Sequence, residues 1–397
     1  MTADVDAAPA AAVRGRAAGR KPERVRGPAP WRSRWLPEEL RATLPAWLAA
    51  RVLVCAVSWH QDPAHPLGRL FSWDTQWYLA IARDGYDRTG ILIHFFPLTS
   101  LVAAGLAVVT RLPTSIALFG FCWATALLFG ALVHRAVVRE TGDRAAALRA
   151  AWLTQLAPGG YALVMGYTEP LSGVLAVGFF LAVRGAGQAR GRIWAAVALG
   201  FFSGMARPVG VLLALPGAVE GLRQARRGGW RPAGVARAAA TTAAPVAGLA
   251  AFLAYSGLRY GSWLLPYTQQ TSQRGRGAVM GDPISILRDV WVRDYRGHGH
   301  GVAISACALI VGFAALLPAV SQRLPVSYAA WVVPSFVLAI GSKDFTSLPR
   351  YLGALFPCVI AAALVARRRW QWAATLVVSG ALLLWTTYYT FAGYSVA

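Results

Sequence analysis

The stretch FSWDTQWYLAIARDGY, residues 71–86, follows the first long apolar segment of the chain and concentrates acidic and aromatic side chains in one short run. Its aromatic and apolar side chains recur at helical spacing, which predicts a short amphipathic helix lying at the membrane surface. The side chains expected on the shared face are Trp77, Tyr78, Ile81 and Ala82. Asp74 stands where this helix should begin, directly after Trp73. Two roles are open to its carboxylate, because it can cap the helix or face a reacting group, and the functional interpretation depends on which role it takes.

The composition is that of a membrane protein. Hydrophobic residues make up 56% of the 397 residues and charged residues only 14%, against about 25% charged residues in a typical soluble domain. Apolar runs long enough to span a bilayer recur along nearly the whole chain. We therefore expect an all-α fold in which residues 36–397 form one polytopic transmembrane helical bundle. Residues 1–35 are rich in Ala, Arg, Pro and Gly, which predicts a disordered basic cytoplasmic tail.

Charge and cysteine content exclude several classes of function. The formal net charge is +22, but the arginines lie in short runs between apolar segments, as the positive-inside rule produces, so no nucleic-acid partner is predicted. The four cysteines are widely separated and form no Cys-x-x-Cys motif, which argues against a zinc site or a disulfide scaffold. The sequence shows no metal-ligand cluster, and we predict no cofactor.

The basic residues predict the orientation of the chain. Nine Lys or Arg residues precede the first apolar span, near 43–59, which places the N-terminus in the cytoplasm. The basic stretch 134–149 also belongs inside. Because two crossings between 94 and 133 would put that stretch outside, we expect the segment 94–110 to lie shallow or to return to the same side. The prediction is about eleven crossings with the C-terminus outside.

Two short apolar segments, 193–206 and 208–222, meet at Arg207 and Pro208. Each is about 14 residues long, or about 21 Å as a helix, which is less than the hydrocarbon thickness of about 30 Å. Proline interrupts a helix because it lacks the backbone N–H and clashes with the preceding turn. We predict a broken pair of helices with Arg207 at or just below the outer surface.

The unusual polar residues collect on the outer side of this topology. An Asp at the centre of a membrane helix costs roughly 2.5–3.5 kcal/mol, and the chain has only 17 acidic residues, so several of them at one face predict a site. The candidates are Asp74, Asp84 and Asp87 in the first outer loop, Tyr167, Thr168 and Glu169 at the second outer turn, Arg207 at the break, and Lys343, Asp344 and Arg350 in the last outer loop.

A carboxylate beside arginines at a membrane interface suits sugar transfer from a polyprenyl phosphate. The arginines would bind the phosphate and stabilise the charge it gains on leaving. The carboxylate would take the proton of an acceptor hydroxyl as that oxygen attacks the anomeric carbon. One base with a phosphate leaving group fits direct displacement with inversion.

Four motifs follow one another over residues 70–210, about a third of the chain. They are SWDTQWYLAIARDGY (72–86), HFFPLTSLV (94–102), GYTEPL (166–171) and ARPVG (206–210). In this order they resemble the PIG-V family of membrane mannosyltransferases, whose pattern includes a Trp-Asp pair, Phe-Phe-Pro and a Tyr-Ser/Thr-Glu turn. That family belongs to the GT-C superfamily of polyprenyl-phosphosugar-dependent glycosyltransferases.

The resemblance implies a multi-pass cell-membrane enzyme with a helical bundle of the GT-C type, a catalytic carboxylate at Asp74 and a site that faces away from the cytoplasm. The donor would be polyprenyl-phosphate-mannose and the acceptor a glycan, lipid or protein hydroxyl that the sequence does not name. Together with the charge argument, this gives the expected substrate-binding residues Trp73, Tyr78, Tyr167, Glu169, Arg207, Lys343 and Arg350.

Structural roles are open for several of these residues. Glu169 before Pro170 can start a helix, where a carboxylate favours the dipole. Arg207 can form a structural ion pair instead of binding phosphate, and Lys343 and Arg350 can extend to the interface. A polytopic transporter or lipid flippase is the alternative function, although carriers usually show inverted repeats and mid-membrane charges, and we find no repeat. A non-catalytic scaffold for a partner glycosyltransferase is a third hypothesis.

Overall fold

The computed structural model describes residues 37–185, 190–271, 280–297, 301–342, 345 and 347–393, without the side chains of residues 190 and 293–297. All of them belong to one compact unit of the chain. The predicted tail at 1–35 and the candidates Lys343 and Asp344 lie outside the described residues.

The described residues form α-helices joined by short loops and 3₁₀ turns. The first eight helices are α1 (Pro37–Gln61), α2 (Asp74–Asp84), α3 (Leu98–Thr110), α4 (Thr114–Thr141), α5 (Arg144–Leu156), α6 (Glu169–Gly185), α7 (Arg190–Ala206) and α8 (Ala214–Arg227). The remaining helices are α9 (Pro232–Tyr260), α10 (Leu265–Thr271), α11 (Pro283–Gly297), α12 (Gly301–Arg323), α13 (Val326–Ile340), α14 (Leu348–Gly353), α15 (Phe356–Val365) and α16 (Arg369–Phe391). The predicted all-α fold is confirmed.

Within the described ranges, five helices are long and apolar enough to cross a membrane by length and composition. These are α1, α4, α9, α12 and α16. Four shorter apolar helices of 10–17 residues accompany them, namely α3, α7, α13 and α15. The structure is therefore that of a polytopic membrane protein, and the count of about eleven crossings stays a prediction.

The short helix predicted within residues 71–86 is α2. Asp74 is its first residue, and it ends at Gly85, whose φ of 75° is a conformation that glycine adopts without strain. Tyr78, Ile81 and Ala82 are buried as expected. The prediction that Trp77 shares their face is wrong, because its side chain is 41% exposed. The buried stripe is centred on Tyr78 and Ala82, and Trp77 falls at its edge.

The segment expected to lie shallow is α3. Its 13 residues measure about 20 Å, which is less than the hydrocarbon thickness of about 30 Å. Only residues 111–113 separate it from α4, and Arg111 takes a left-handed conformation there, with φ of 57°. The two helices pack together as a hairpin, and the shallow position of this segment stays a prediction.

The predicted break at Arg207 is confirmed. Helix α7 ends at Ala206, Arg207 is extended, and residues 208–213 form a 3₁₀ turn before α8 begins. Gly210 lies so close to α7 that a Cβ there would overlap the carbonyl of Ser203. The chain therefore folds back tightly at the break and leaves Arg207 at its tip.

Candidate active site

Four charged side chains from distant parts of the sequence meet at one point of the bundle. Asp74 opens α2, Glu169 opens α6, Arg207 follows α7, and Arg350 lies in α14. Arg350 Nη1 donates to Asp74 Oδ2 at 2.5 Å and lies 3.6 Å from Glu169 Oε1. The same Glu169 Oε1 lies 2.9 Å from Arg207 Nη1. These four side chains contact one another in the order Asp74, Arg350, Glu169, Arg207, and we call this row of ion pairs the charge chain.

The two ends of the charge chain are slightly more exposed than its middle. The side chains of Asp74 and Arg207 are 12% and 11% exposed, whereas those of Glu169 and Arg350 are both 3% exposed. A molecule that approaches this site therefore meets one carboxylate and one guanidinium, with the opposite charges behind them.

The buried middle of the charge chain is incompletely hydrogen-bonded. Neither carboxylate oxygen of Glu169 accepts a hydrogen bond within the described part of the chain, and Arg350 Nε donates none there. The contact of Glu169 with Arg207 is close enough for an ion pair but lacks hydrogen-bond geometry. A cavity of about 10 Å³ reaches both Glu169 and Arg350 and is lined in part by Thr154 and Gly160. Such a cavity has room for about one water.

A second ion cluster at the other end of α6 provides a contrast. Arg184 donates to both carboxylate oxygens of Glu140 at 2.7 Å and to Glu220 Oε1 at 2.5 Å. Ser327 adds a bond of 2.7 Å to the same Glu220 oxygen, and Tyr328 bonds Glu140. Ion clusters that serve packing are usually satisfied in this way. The unsatisfied charge chain therefore differs from the structural cluster of the same molecule.

Aromatic rings and a hydroxyl hold the two arginines. The guanidinium of Arg350 lies 5.2 Å from the ring centre of Tyr167 and 5.4 Å from that of Tyr351, and it donates to Ser347 Oγ at 2.8 Å. The guanidinium of Arg207 also lies 5.2 Å from the ring centre of Tyr351. Burial by itself would lower the pKa of Arg350, which is outside the spanning helices, but the carboxylates of Asp74 and Glu169 outweigh burial and raise it. Arg350 is therefore permanently charged.

The two predicted tyrosines form walls of the site. Tyr78 is 5% exposed, and burial, followed by the nearby Asp74 and Glu169, raises the pKa of its hydroxyl. Tyr167 is fully buried, and its hydroxyl has no hydrogen-bond partner in the part of the chain that the structure describes. Both phenols therefore stay protonated at neutral pH and can serve as hydrogen-bond donors.

Trp73 holds Asp74 in place through a strained backbone. Its φ of 55° is unusual for a bulky residue, and such conformations cost about 1–3 kcal/mol and cluster at functional sites. Its indole Nε1 donates to the carbonyl of Thr390, near the end of α16, at 2.8 Å. Trp73 is the N-cap residue of α2 and has no side-chain capping bond. Asp74 thus begins the helix with its carboxylate directed at Arg350.

Gly159 sets the position of Arg350. It lies against Pro349 and Arg350 with backbone in contact with backbone, so that a Cβ at position 159 would overlap the Pro349 carbonyl and the Arg350 Cα. Gly353, at the end of α14, also lies close to the backbone of Gly159. The loop before α6 and the helix α14 are therefore fitted together at the point where Arg350 enters the site.

We expect Gly159→Ala to destabilise the fold by about 1–3 kcal/mol, the usual cost of overpacking, because neither backbone can withdraw easily. The measurement is the thermal unfolding midpoint in detergent. Gly120→Ala in α4 is the matched control, since a Cβ there meets open space and alanine favours the helix. Equal midpoints for the two variants would show that the close approach is not required.

Other candidates lie apart from the charge chain. Asp84 is exposed at the end of α2. Asp87 is exposed and bonded to Thr89, while its carbonyl accepts from Tyr260. Among the described residues, no group of three or more His, Cys, Asp or Glu side chains could hold a metal ion. No sequence pattern marks Ser347, Tyr351 or Gly159, whose roles depend on contacts far along the chain.

The described helices form a bundle whose fold is shared with a solved membrane protein. One solved structure with this fold is ArnT from Cupriavidus metallidurans bound to undecaprenyl phosphate, with a TM-score of 0.51 and 17% identity over 87% of this chain and 62% of that chain. A weaker similarity is to the archaeal oligosaccharyltransferase AglB from Archaeoglobus fulgidus in complex with an inhibitory peptide and a dolichol-phosphate, with a TM-score of 0.45 and 12% identity over 89% of this chain and 56% of that one. The chain thus spans about three fifths of the length of these proteins. No protein-family model and no curated protein matches the chain.

Proposed function

We propose that this chain is a PIG-V-like membrane mannosyltransferase. It transfers mannose from polyprenyl-phosphate-mannose to an acceptor hydroxyl on the extracytoplasmic face of the cell membrane. The observation that carries the proposal is the charge chain, which has one carboxylate and one guanidinium at its two less buried ends and keeps Arg350 and Glu169 buried between them. The order of the four sequence motifs and the ArnT-like fold support the same interpretation.

Arg207 is the phosphate ligand in this proposal. It is the more exposed of the two arginines, and it stands at the tip of the broken helix pair. A guanidinium there neutralises the charge that the phosphate gains when the bond to the anomeric carbon breaks. The ArnT structure holds undecaprenyl phosphate, and a polyprenyl phosphate is the carrier proposed for this chain.

Asp74 is the general base. Its carboxylate accepts the proton of the acceptor hydroxyl while that oxygen forms a bond with the anomeric carbon and the phosphate leaves with the bonding electrons. Arg350 lies too deep to meet the substrate first and positions Asp74 through their hydrogen bond. Tyr78 and Tyr167 line the site beside these groups.

The direct test incubates purified protein with labelled polyprenyl-phosphate-mannose and a membrane lipid extract, followed by identification of the mannosylated product. We expect label to move to an acceptor and polyprenyl phosphate to be released. Counterflow of labelled lipid in vesicles with no covalent product would instead establish a transporter. Recovery of activity only after another subunit is added would establish a scaffold.

A further inference from the structure

The charge chain is built on shared atoms. Arg350 Nη1 contacts Asp74 Oδ2 at 2.5 Å and Glu169 Oε1 at 3.6 Å, so one nitrogen serves two carboxylates. Glu169 Oε1 contacts that nitrogen and also Arg207 Nη1, at 2.9 Å, so one oxygen serves two arginines. A movement of either shared atom toward one partner therefore also changes its contact with the other partner.

The distances indicate which contacts dominate in the substrate-free protein. Glu169 is closer to Arg207, and Arg350 is closer to Asp74. The alternative arrangement pairs Glu169 with Arg350, which separates Arg207 from Glu169 and weakens the bond between Arg350 and Asp74. A small movement of Glu169 toward Arg350 suffices to begin this exchange, and its carboxylate has no hydrogen bond within the described residues that would hold it back.

We propose that Glu169 is a positioning residue that couples donor binding to the release of Asp74. A phosphate that binds Arg207 competes with Glu169 for the guanidinium. Glu169 then shifts to Arg350, and Arg350 loosens its bond to Asp74. The carboxylate of Asp74 is thus released from Arg350 only after the lipid phosphate is in place, so the reaction is ordered with the donor first.

This proposal depends on the proposed function, because it identifies the occupant of Arg207 as the phosphate of a polyprenyl carrier. It goes further by giving the buried Glu169 a role distinct from binding substrate. Coupling between two sites is reciprocal. If phosphate on Arg207 frees Asp74, then removing the charge of Asp74 must strengthen phosphate binding at Arg207.

The test is a double-mutant cycle on binding, with undecaprenyl phosphate in detergent micelles as the probe. Dissociation constants are measured for the wild type, Asp74→Asn, Glu169→Gln and the double variant, all of which preserve side-chain shape. We expect Asp74→Asn to tighten binding at least fivefold in the wild-type background, roughly the low end of typical coupling. In the Glu169→Gln background the same change should alter binding less than about twofold, since only the direct charge effect then remains.

The outcomes separate the two proposals. An equal effect of Asp74→Asn in both backgrounds, or no effect in either, overturns the coupling and leaves the transferase proposal intact. Failure of the wild type to bind undecaprenyl phosphate overturns both. Inorganic phosphate is the second probe. If it binds with the same affinity as undecaprenyl phosphate, the site is an anion site that does not recognise the lipid. That result would also overturn the coupling to a lipid donor.

A second variant guards against misfolding of Glu169→Gln. Glu169→Asp keeps the buried charge but is one methylene shorter, so a single carboxylate no longer reaches both arginines. We expect it also to suppress the effect of Asp74→Asn. A merely structural role for Glu169 would change the unfolding midpoint of both Glu169 variants, while Asp74→Asn would still alter lipid binding by the same factor as in the wild-type background.

Discussion

Asp74→Asn should abolish most of the sugar transfer, with a fall of about 10²–10⁴ in rate, the usual contribution of a general base. The amide has the shape of the carboxylate but accepts no proton at neutral pH, so the acceptor oxygen would have to attack with its proton in place. The measurement is transfer of label from polyprenyl-phosphate-mannose by the purified variant. Because the coupling argument gives this variant tighter lipid binding, the loss should lie in kcat and not in KM for the donor.

The control for this experiment is Asp84→Asn, at the other end of the same helix. Asp84 is exposed and lies outside the charge chain, so its variant should transfer sugar at the wild-type rate. An Asp74→Asn protein that unfolds normally and transfers within about tenfold of wild type would remove Asp74 as the base.

Arg350→Met should be the most destabilising single change at the site. It leaves the carboxylates of Asp74 and Glu169 without their shared partner, and removing one side of a buried ion pair costs about 3–5 kcal/mol. The measurement is the unfolding midpoint in detergent, together with loss of transfer. Adding Asp74→Asn to the same protein should recover part of the stability, because the carboxylate that has lost its bond to Arg350 is then replaced by a neutral amide, whereas Glu169 keeps its contact with Arg207.

Arg288→Met is the matched control for Arg350→Met. The Arg288 side chain is 75% exposed and contacts its neighbour Asp289 at 3.4 Å. Exposed pairs of this kind contribute about 0–1 kcal/mol. If both arginine variants unfold at the wild-type midpoint, the buried ion pairs of Arg350 contribute nothing measurable to the stability of the folded protein.

Local patterns predict the parts of this structure that local physics decides. The helix that begins at Asp74 follows from its apolar spacing, and the break at Arg207 follows from the chemistry of Pro208. The gathering of Glu169 and Arg350 near Asp74 is predicted only as a shared membrane face. Which arginine meets which carboxylate is beyond the reach of local patterns, since Asp74 and Arg350 are 276 positions apart.

Other features depend on the packing of whole segments. Nothing in the neighbourhood of Gly159 marks it as the residue that fits against Pro349. The left-handed backbone of Trp73 is contrary to its side-chain preference and is stabilised from outside. The prediction that Trp77 is buried with Tyr78 is also wrong because it depends on packing. Helical spacing identifies the side chains of one stripe but not the width of the surface that covers them.

The hydrogen bond from Trp73 to Thr390 has a consequence for biosynthesis. The residue before Asp74 is supported by a carbonyl that leaves the ribosome 317 residues later. A nascent chain whose last helix has not yet entered the bilayer lacks this support. The strained backbone of Trp73 therefore gains this hydrogen bond only after α16 has been synthesised and has packed into the bundle.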